Sequence, residues 1–273
     1  MLFASAHVRV TAEYGVGTLW LNFPGEPVNA LNLARLRELD EALGASEAHP
    51  GLGIVVVRSA KPAGFCAGLH PAALDNLRNA AAFAWYGQTV FNRLAALSAV
   101  TVAFIDGPCL GAGLELALAC DHRLVLSKPT THLGFPDTAL RPCFGGTTRL
   151  NRRARLLLTS GRTLSGREAK LLGLVDHAFC ERRGKIELRT FLDDLERAPG
   201  RKRAAVAEIG LAAERRAFAR AVANGVRVSP WVAPEMPVEI AEARGFITPL
   251  EAQQARPRTP VIPAAHLPAA RAA

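Results

Sequence analysis

Apolar and polar residues alternate through VRVTAEYGVGTLWLNFP near the N-terminus, the period of a half-buried strand pair, with the turn near Gly15. The period then changes. In LNLARLRELDEALGASEA the leucines Leu33, Leu36, Leu39 and Leu43 fall at helical spacing, and the apolar run GIVVVRS that follows reads as a buried strand. After the loop AKPAGFCAGLHP the pattern predicts a helix over about 78–97, a strand VTVAFIDG, a helix from about 112 and a strand HRLVLS. Strands alternating with helices predict parallel pairing through crossover helices, hence an α/β fold.

Beyond residue 150 the pattern turns mostly helical: RRARLLLTSG, then SGREAKLLG with Ser165 as N-cap and Glu168 three residues on, a short LVDHAF, and amphipathic pieces over about 186–223. From Pro230 onward Pro and Ala accumulate with little periodicity. The chain therefore divides into an α/β core over 1–180, a helical C-terminal region over 181–228 and an extended or disordered tail over 229–273.

Composition adds limits to this picture. A chain of 273 residues, 49% hydrophobic with three Trp and twelve Phe, suits one α/β domain with a C-terminal extension. No apolar run reaches the roughly 18 residues of a membrane span, and the first residues lack the basic start and continuous apolar stretch of a signal peptide. Five cysteines (Cys66, Cys109, Cys120, Cys143, Cys180) form no C-x-x-C pair and leave an odd one, which predicts reduced thiols and a cytoplasmic protein. The net charge of +9 comes largely from scattered Arg, as in RLNRRAR and RKR, without the interleaved aromatics or motifs of a nucleic-acid surface. No nucleic-acid partner is expected, whereas an anionic small ligand would profit from the field.

Several chemistries are excluded by missing motifs. There is no G-x-S-x-G elbow, no G-x-x-x-x-G-K-[ST] loop, and the seven histidines lack H-x-x-x-H or H-E-x-x-H spacing. The stretch TVAFIDGPCLGAGLELALACD imitates a dinucleotide loop, with Gly111 and Gly113 between a strand and a helix. Leu116 stands where the third glycine should be, and Glu115 in the first helical turn would repel a pyrophosphate. Small residues at 111–113 and in GFCAGLH at 64–70 leave two readings open: tight strand-to-helix turns, or two backbone N–H donors converging on a carbonyl oxygen that gains negative charge. Asp137, after Pro136 and a short strand-like run, reads by itself as a turn former or N-cap; paired with Glu115 it can help hold one water and move protons at a substrate carbon.

The segments PVNALN, SAKPAGFCAGLH, DGPCLGAGLELALACDHRL, LGFPD, FGGTTRL and LTSGRTLSGREAKLLGLVD together resemble the crotonase superfamily of enoyl-CoA hydratases and isomerases. They are most similar to the hydratase domain of fatty-acid oxidation multifunctional α-subunits, whose dehydrogenase half has no counterpart in this sequence. The resemblance implies a crotonase-like ββα superhelix that binds an acyl-CoA substrate, with the backbone N–H groups of Leu69 and Ala112 as oxyanion hole. Ala67, Gly68 and His70 fall on the substrate and CoA loop, and Lys61 is a candidate contact to CoA phosphates. Glu115 falls on the family's water-activating carboxylate, and Asp137 on the group that exchanges a proton with the carbon next to the thioester carbonyl.

The same resemblance implies no metal or redox cofactor, coenzyme A entering as part of the substrate, and assembly as a homotrimer or hexamer. It leaves three activities: hydration, double-bond isomerisation, or binding without catalysis as an assembly subunit. The chain also departs from the pattern. Leu69 and Ala112 replace smaller residues, His70 stands at a usual Asp, Cys143 at a usual Gly, and the segment from Asp137 to FGGT is short. Asp137 is a methylene shorter than Glu, a pull-back of roughly 1 Å that can cost about a hundredfold in rate where positioning is tight. Slow hydration is the expectation.

Overall fold

The alternation at the N-terminus folds as an antiparallel hairpin of β2 (Val8–Glu13) and β3 (Val16–Leu21), edged by the short β1 (Phe3–Ala4). The two residues between the long strands, Tyr14 and Gly15, both have positive φ (48° and 79°), which matches the turn to the twist of the strands. The computed structural model describes residues 1–75, 77, 79–198 and 206–227. The tail predicted over 229–273 lies outside the described residues.

The remaining strands are β4 (Ile54–Ser59), β5 (Val100–Ile105), β6 (Cys109–Leu110), β7 (His122–Ser127), β8 (Leu133–Gly134), β9 (Thr163–Leu164) and β10 (His177–Cys180). The helices are α1 (Leu33–Glu47), α2 (Ala80–Ala96), α3 (Ala112–Ala119), α4 (Gly146–Arg149), α5 (Leu157–Ser160), α6 (Gly166–Leu171), α7 (Gly184–Arg197) and α8 (Glu208–Ala223). One sheet runs β1-β2-β3-β4-β5-β7-β10, parallel from β3 onward, as the alternation predicted. Helices cover both faces of its centre, so IVVV in β4 is buried residue after residue.

One face carries Val10, Leu19, Val55, Val57 and Ala103 beneath Leu36, Leu39 and Leu43 of α1, with Phe91 and Leu94 of α2 and Leu114 and Leu118 of α3 in the same core. The other face carries Ile54, Val56, Val102, Phe104 and Leu124 against Leu188, Phe191, Leu192 and Leu195 of α7. Arg123, wholly buried in β7, ties the sheet to the segment before β10. Its guanidinium donates to Leu174 O (2.8 Å), Cys120 O (3.0 Å) and Asp176 Oδ2 (2.8 Å).

Side-chain caps fix the starts of two helices that the sequence predicts. Asn32 accepts from Arg35 N at α1, and Ser165 and Glu168 close a full capping box at α6. A second sheet, β6-β8-β9, has no counterpart in the sequence pattern beyond the short run before Pro136. Its strands are two residues long, too short for any alternation to register. No helix among the described residues is long and apolar enough to cross a membrane.

Candidate active site

Two strand-end loops, 64–70 and 107–113, lie backbone against backbone. Cys66 forms an isolated parallel bridge with Cys109, and Cys66 N donates to Pro108 O while Leu110 N donates to Cys66 O. The approach is close enough to dictate glycine: a methyl group on Gly113 would lie 2.2 Å from Cys66 O. At Gly68 the left-handed backbone (φ +111°) turns the chain, and a methyl group there would lie 3.4 Å from Ala112 N.

The motif PVNALN supports this pair from the other side. Asn29 is fully buried and donates through Nδ2 to Ser59 Oγ (2.8 Å), Phe65 O (3.0 Å) and Leu21 O (3.3 Å) while its Oδ1 accepts from Phe23 N. Ala67 N donates to Asn29 O. Leu31 then bridges Leu69 in parallel, through Leu31 N to Gly68 O and His70 N to Leu31 O, both 2.7 Å. In that pattern the N–H of Leu69 points away from Leu31. It donates to no acceptor among the described residues, and neither does the N–H of Ala112, the first residue of α3. Two backbone donors thus stand near each other at the positive end of an eight-residue helix.

One turn into α3, Glu115 is 1% exposed. Its carboxylate accepts from Phe144 N (2.7 Å) and Gly146 N (2.8 Å) on Oε1 and from Cys143 N (3.3 Å) on Oε2. Glu214 of α8, also buried, accepts from Gly145 N, from Thr147 N (2.9 Å) and from the Thr147 hydroxyl. Burial, and then the Glu214 charge, push the proton affinity of Glu115 well above the ordinary carboxylate range, against three N–H bonds that favour the anion. Burial first, then both carboxylates, push the Cys143 thiol up as well, so it is no thiolate.

Asp137 divides its two oxygens. Oδ1 accepts from Ala139 N and Leu140 N (both 3.1 Å), the turn-forming role its sequence context suggests, and Oδ2 is buried with no hydrogen-bond partner among the described residues. No hydrogen bond joins it to Glu115 among the described residues. His70 and Lys61 converge on a different residue, Glu26. His70 Nδ1 accepts from Ala72 N, which leaves the proton on Nε2 to bond Glu26 Oε1 (2.9 Å), while Lys61 Nζ donates to Glu26 O. Arg35 completes the cluster at 3.2 Å from the same Oε1.

The structure thus brings Leu69, Ala112, Gly68 and Ala67 together around α3, and ties His70 and Lys61 to Glu26. Sequence reasoning passed over Asn29, Glu26 and Glu214. For Glu214 a signal existed, a carboxylate on the apolar stripe of α8 between Leu211 and Phe218. A groove of about 460 Å³ between the hairpin and α7, lined by Trp20, Lys185 and Arg189 among others, lies on the opposite face of the sheet and contains none of the predicted site residues.

A model of the enoyl-CoA hydratase/isomerase family matches residues 11–225. Fatty acid oxidation complex subunit alpha from Vibrio campbellii is 38% identical over 174 residues, which cover 60% of this chain and 25% of that protein. The Shewanella loihica protein of the same name is 37% identical over 174 residues with the same coverage, so the chain spans about a quarter of the length of these curated relatives. Among solved structures, an enoyl-CoA hydratase from Geobacillus kaustophilus aligns with a TM-score of 0.67 at 23% identity, covering 94% of this chain and 91% of that one. An enoyl-CoA hydratase from Bacillus anthracis aligns with a TM-score of 0.64 at 24% identity, covering 91% and 90%. The structural likeness carries the fold, which is crotonase-like as the sequence motifs implied, and the family model carries membership: the chain belongs to the enoyl-CoA hydratase/isomerase family.

Proposed function

We propose that this chain binds an acyl-CoA thioester and adds water across the C2=C3 bond of a 2-enoyl-CoA. The observation that carries the reading is the pair of undonated N–H groups, Leu69 and Ala112, beside a buried carboxylate one helical turn away. Both N–H groups donate hydrogen bonds to the thioester carbonyl oxygen, which gains charge as the π electrons of C2=C3 move toward it. Glu115 takes a proton from water as the water oxygen bonds to C3. Asp137, through the unpartnered Oδ2, delivers a proton to C2, and the proton taken by Glu115 leaves to solvent, from which Asp137 is resupplied. The balance is one water added and no electrons gained or lost, so coenzyme A on the substrate is all the chemistry requires. Ala67 and Gly68 line the thioester, with His70 and Lys61 at the rim toward the CoA phosphates, and assembly as a homotrimer or hexamer belongs to the same reading.

A second reading is double-bond isomerisation, favoured by the turn-forming bonds that hold Asp137 Oδ1. A single carboxylate, Glu115, can remove a proton from C2 of a 3-enoyl thioester and return it to C4. The test is turnover of 2-enoyl and 3-enoyl thioesters across chain lengths by the unmutated chain and by Glu115→Gln. Hydration of the 2-enoyl substrate, with kcat lowered about a thousandfold in the variant and thioester binding kept, is the expected result. Turnover of the 3-enoyl substrate alone selects isomerisation. Binding without any turnover sinks both and leaves an assembly subunit.

A further inference from the structure

Five consecutive backbone N–H groups, from Cys143 to Thr147, are taken by two buried carboxylates that come from helices far apart in the sequence. The bonds interleave. Glu115 holds Cys143, Phe144 and Gly146, and Glu214 holds Gly145 and Thr147, so neither can shift without moving the N–H groups of the other. The left-handed Gly145 (φ +109°) lets successive N–H groups diverge to the two acceptors.

Neither carboxylate has an ion-pair partner among the described residues. Arg149, the nearby cation, donates instead to Phe144 O and Asn92 Oδ1. A second buried carboxylate without an ion pair beside Glu115 is costly, and a fold that needed only packing there would place an apolar residue. Helix α8 is itself fastened: Phe218 is fully buried against Phe83, and Gln88 of α2 donates to Leu211 O (3.1 Å).

We propose that Glu214 is a positioning residue, fixing Gly145 and Thr147 from α8 so that the N–H groups of Cys143, Phe144 and Gly146 hold the Glu115 carboxylate in its reactive place. The proposal rests on the reading of Glu115 as the proton-transfer group. It makes the C-terminal helix part of the working site, acting through the loop that holds Glu115. The two carboxylates act electrostatically on neighbouring Cys143 and Arg149, and the Glu214 charge raises the proton affinity of Glu115, so removing that charge lowers it.

The test is amide hydrogen exchange on the full chain, with Glu214→Gln and, because a buried change can unfold the protein, the milder Thr147→Val. In Glu214→Gln, exchange at Cys143, Phe144 and Gly146, which Glu214 does not touch, speeds up about tenfold; in Thr147→Val the same three amides speed up about threefold. Acceleration confined to Gly145 and Thr147 overturns the proposal. In turnover, Glu214→Gln lowers kcat about tenfold with KM held and moves the acid limb of the kcat profile to lower pH, whereas an unchanged kcat and limb overturn it. An unmutated chain that turns over no enoyl thioester sinks the hydration reading instead, and the exchange result still decides the role of Glu214.

Discussion

Two groups of backbone N–H donors stand at the N-terminal ends of α3 and α4, and the protein uses them in opposite ways. At α3 the N–H groups of Ala112 and neighbouring Leu69 have no acceptor among the described residues. At α4 and the loop before it, every N–H from Cys143 to Thr147 is taken by Glu115 or Glu214. The same local feature, a helix start rich in small residues, is left open in one place and holds resident acids in the other. The difference lies in which side chains reach it: among the described residues none accepts from the first, and two buried carboxylates cap the second.

Breaking the first group should have the largest effect. Ala112→Pro removes one N–H at the first helical position, where proline is well tolerated and no intrahelical bond is lost. We expect kcat for a 2-enoyl thioester to fall about 100- to 1,000-fold, with a melting temperature close to that of the unmutated chain. Equal turnover in the two proteins would show that the Ala112 donor is idle.

Forcing the two loops apart comes next. The methyl of Gly113→Ala would sit 2.2 Å from Cys66 O, a backbone atom with little room to give, so denaturant unfolding should register a loss of about 1–3 kcal/mol. Activity should fall with it, because Leu69 and Ala112 then separate. A variant as stable as the parent would mean that the loops are not pressed together as described.

The second group is tested through pH. The Glu115 proton affinity is higher in the folded chain than in the unfolded one, so the folded state binds the proton more tightly. The stability linked to that proton is fully present below the unfolded value of about 4.5 and is lost as pH rises through the higher folded value. Melting temperatures measured across this range should show the parent losing stability relative to Glu115→Gln as pH increases. Parallel curves would argue against a buried acid with raised affinity. The smallest effect belongs to Thr147→Val, which removes the hydroxyl bond to Glu214 and should cost about 1 kcal/mol by denaturant titration.

This contrast was only half legible in the sequence. The α3 group was visible because its elements are local: the strand VTVAFI, small residues at 111–113 and an apolar helix follow one another without interruption. The hairpin at Gly15, the leucine face of α1 and the capping box at Ser165 are local in the same sense. The α4 group was hidden, because Glu214 reaches Gly145 across 69 residues of sequence and nothing in the periodicity of α8 says which loop will meet it. Glu26, which gathers His70, Arg35 and Lys61, was hidden for the same reason. Asp137 was legible as a turn former, and its two oxygens turn out to have separate surroundings.

In the proposed reaction the unused N–H groups of Leu69 and Ala112 draw charge onto the thioester carbonyl oxygen. Infrared difference spectroscopy of a bound 2-enoyl-CoA carrying ¹³C at the thioester carbonyl tests it directly. We expect a carbonyl stretch at lower frequency in the complex than in buffer, returning toward the free value in Ala112→Pro; a stretch unchanged on binding would show that these donors do not polarise the carbonyl.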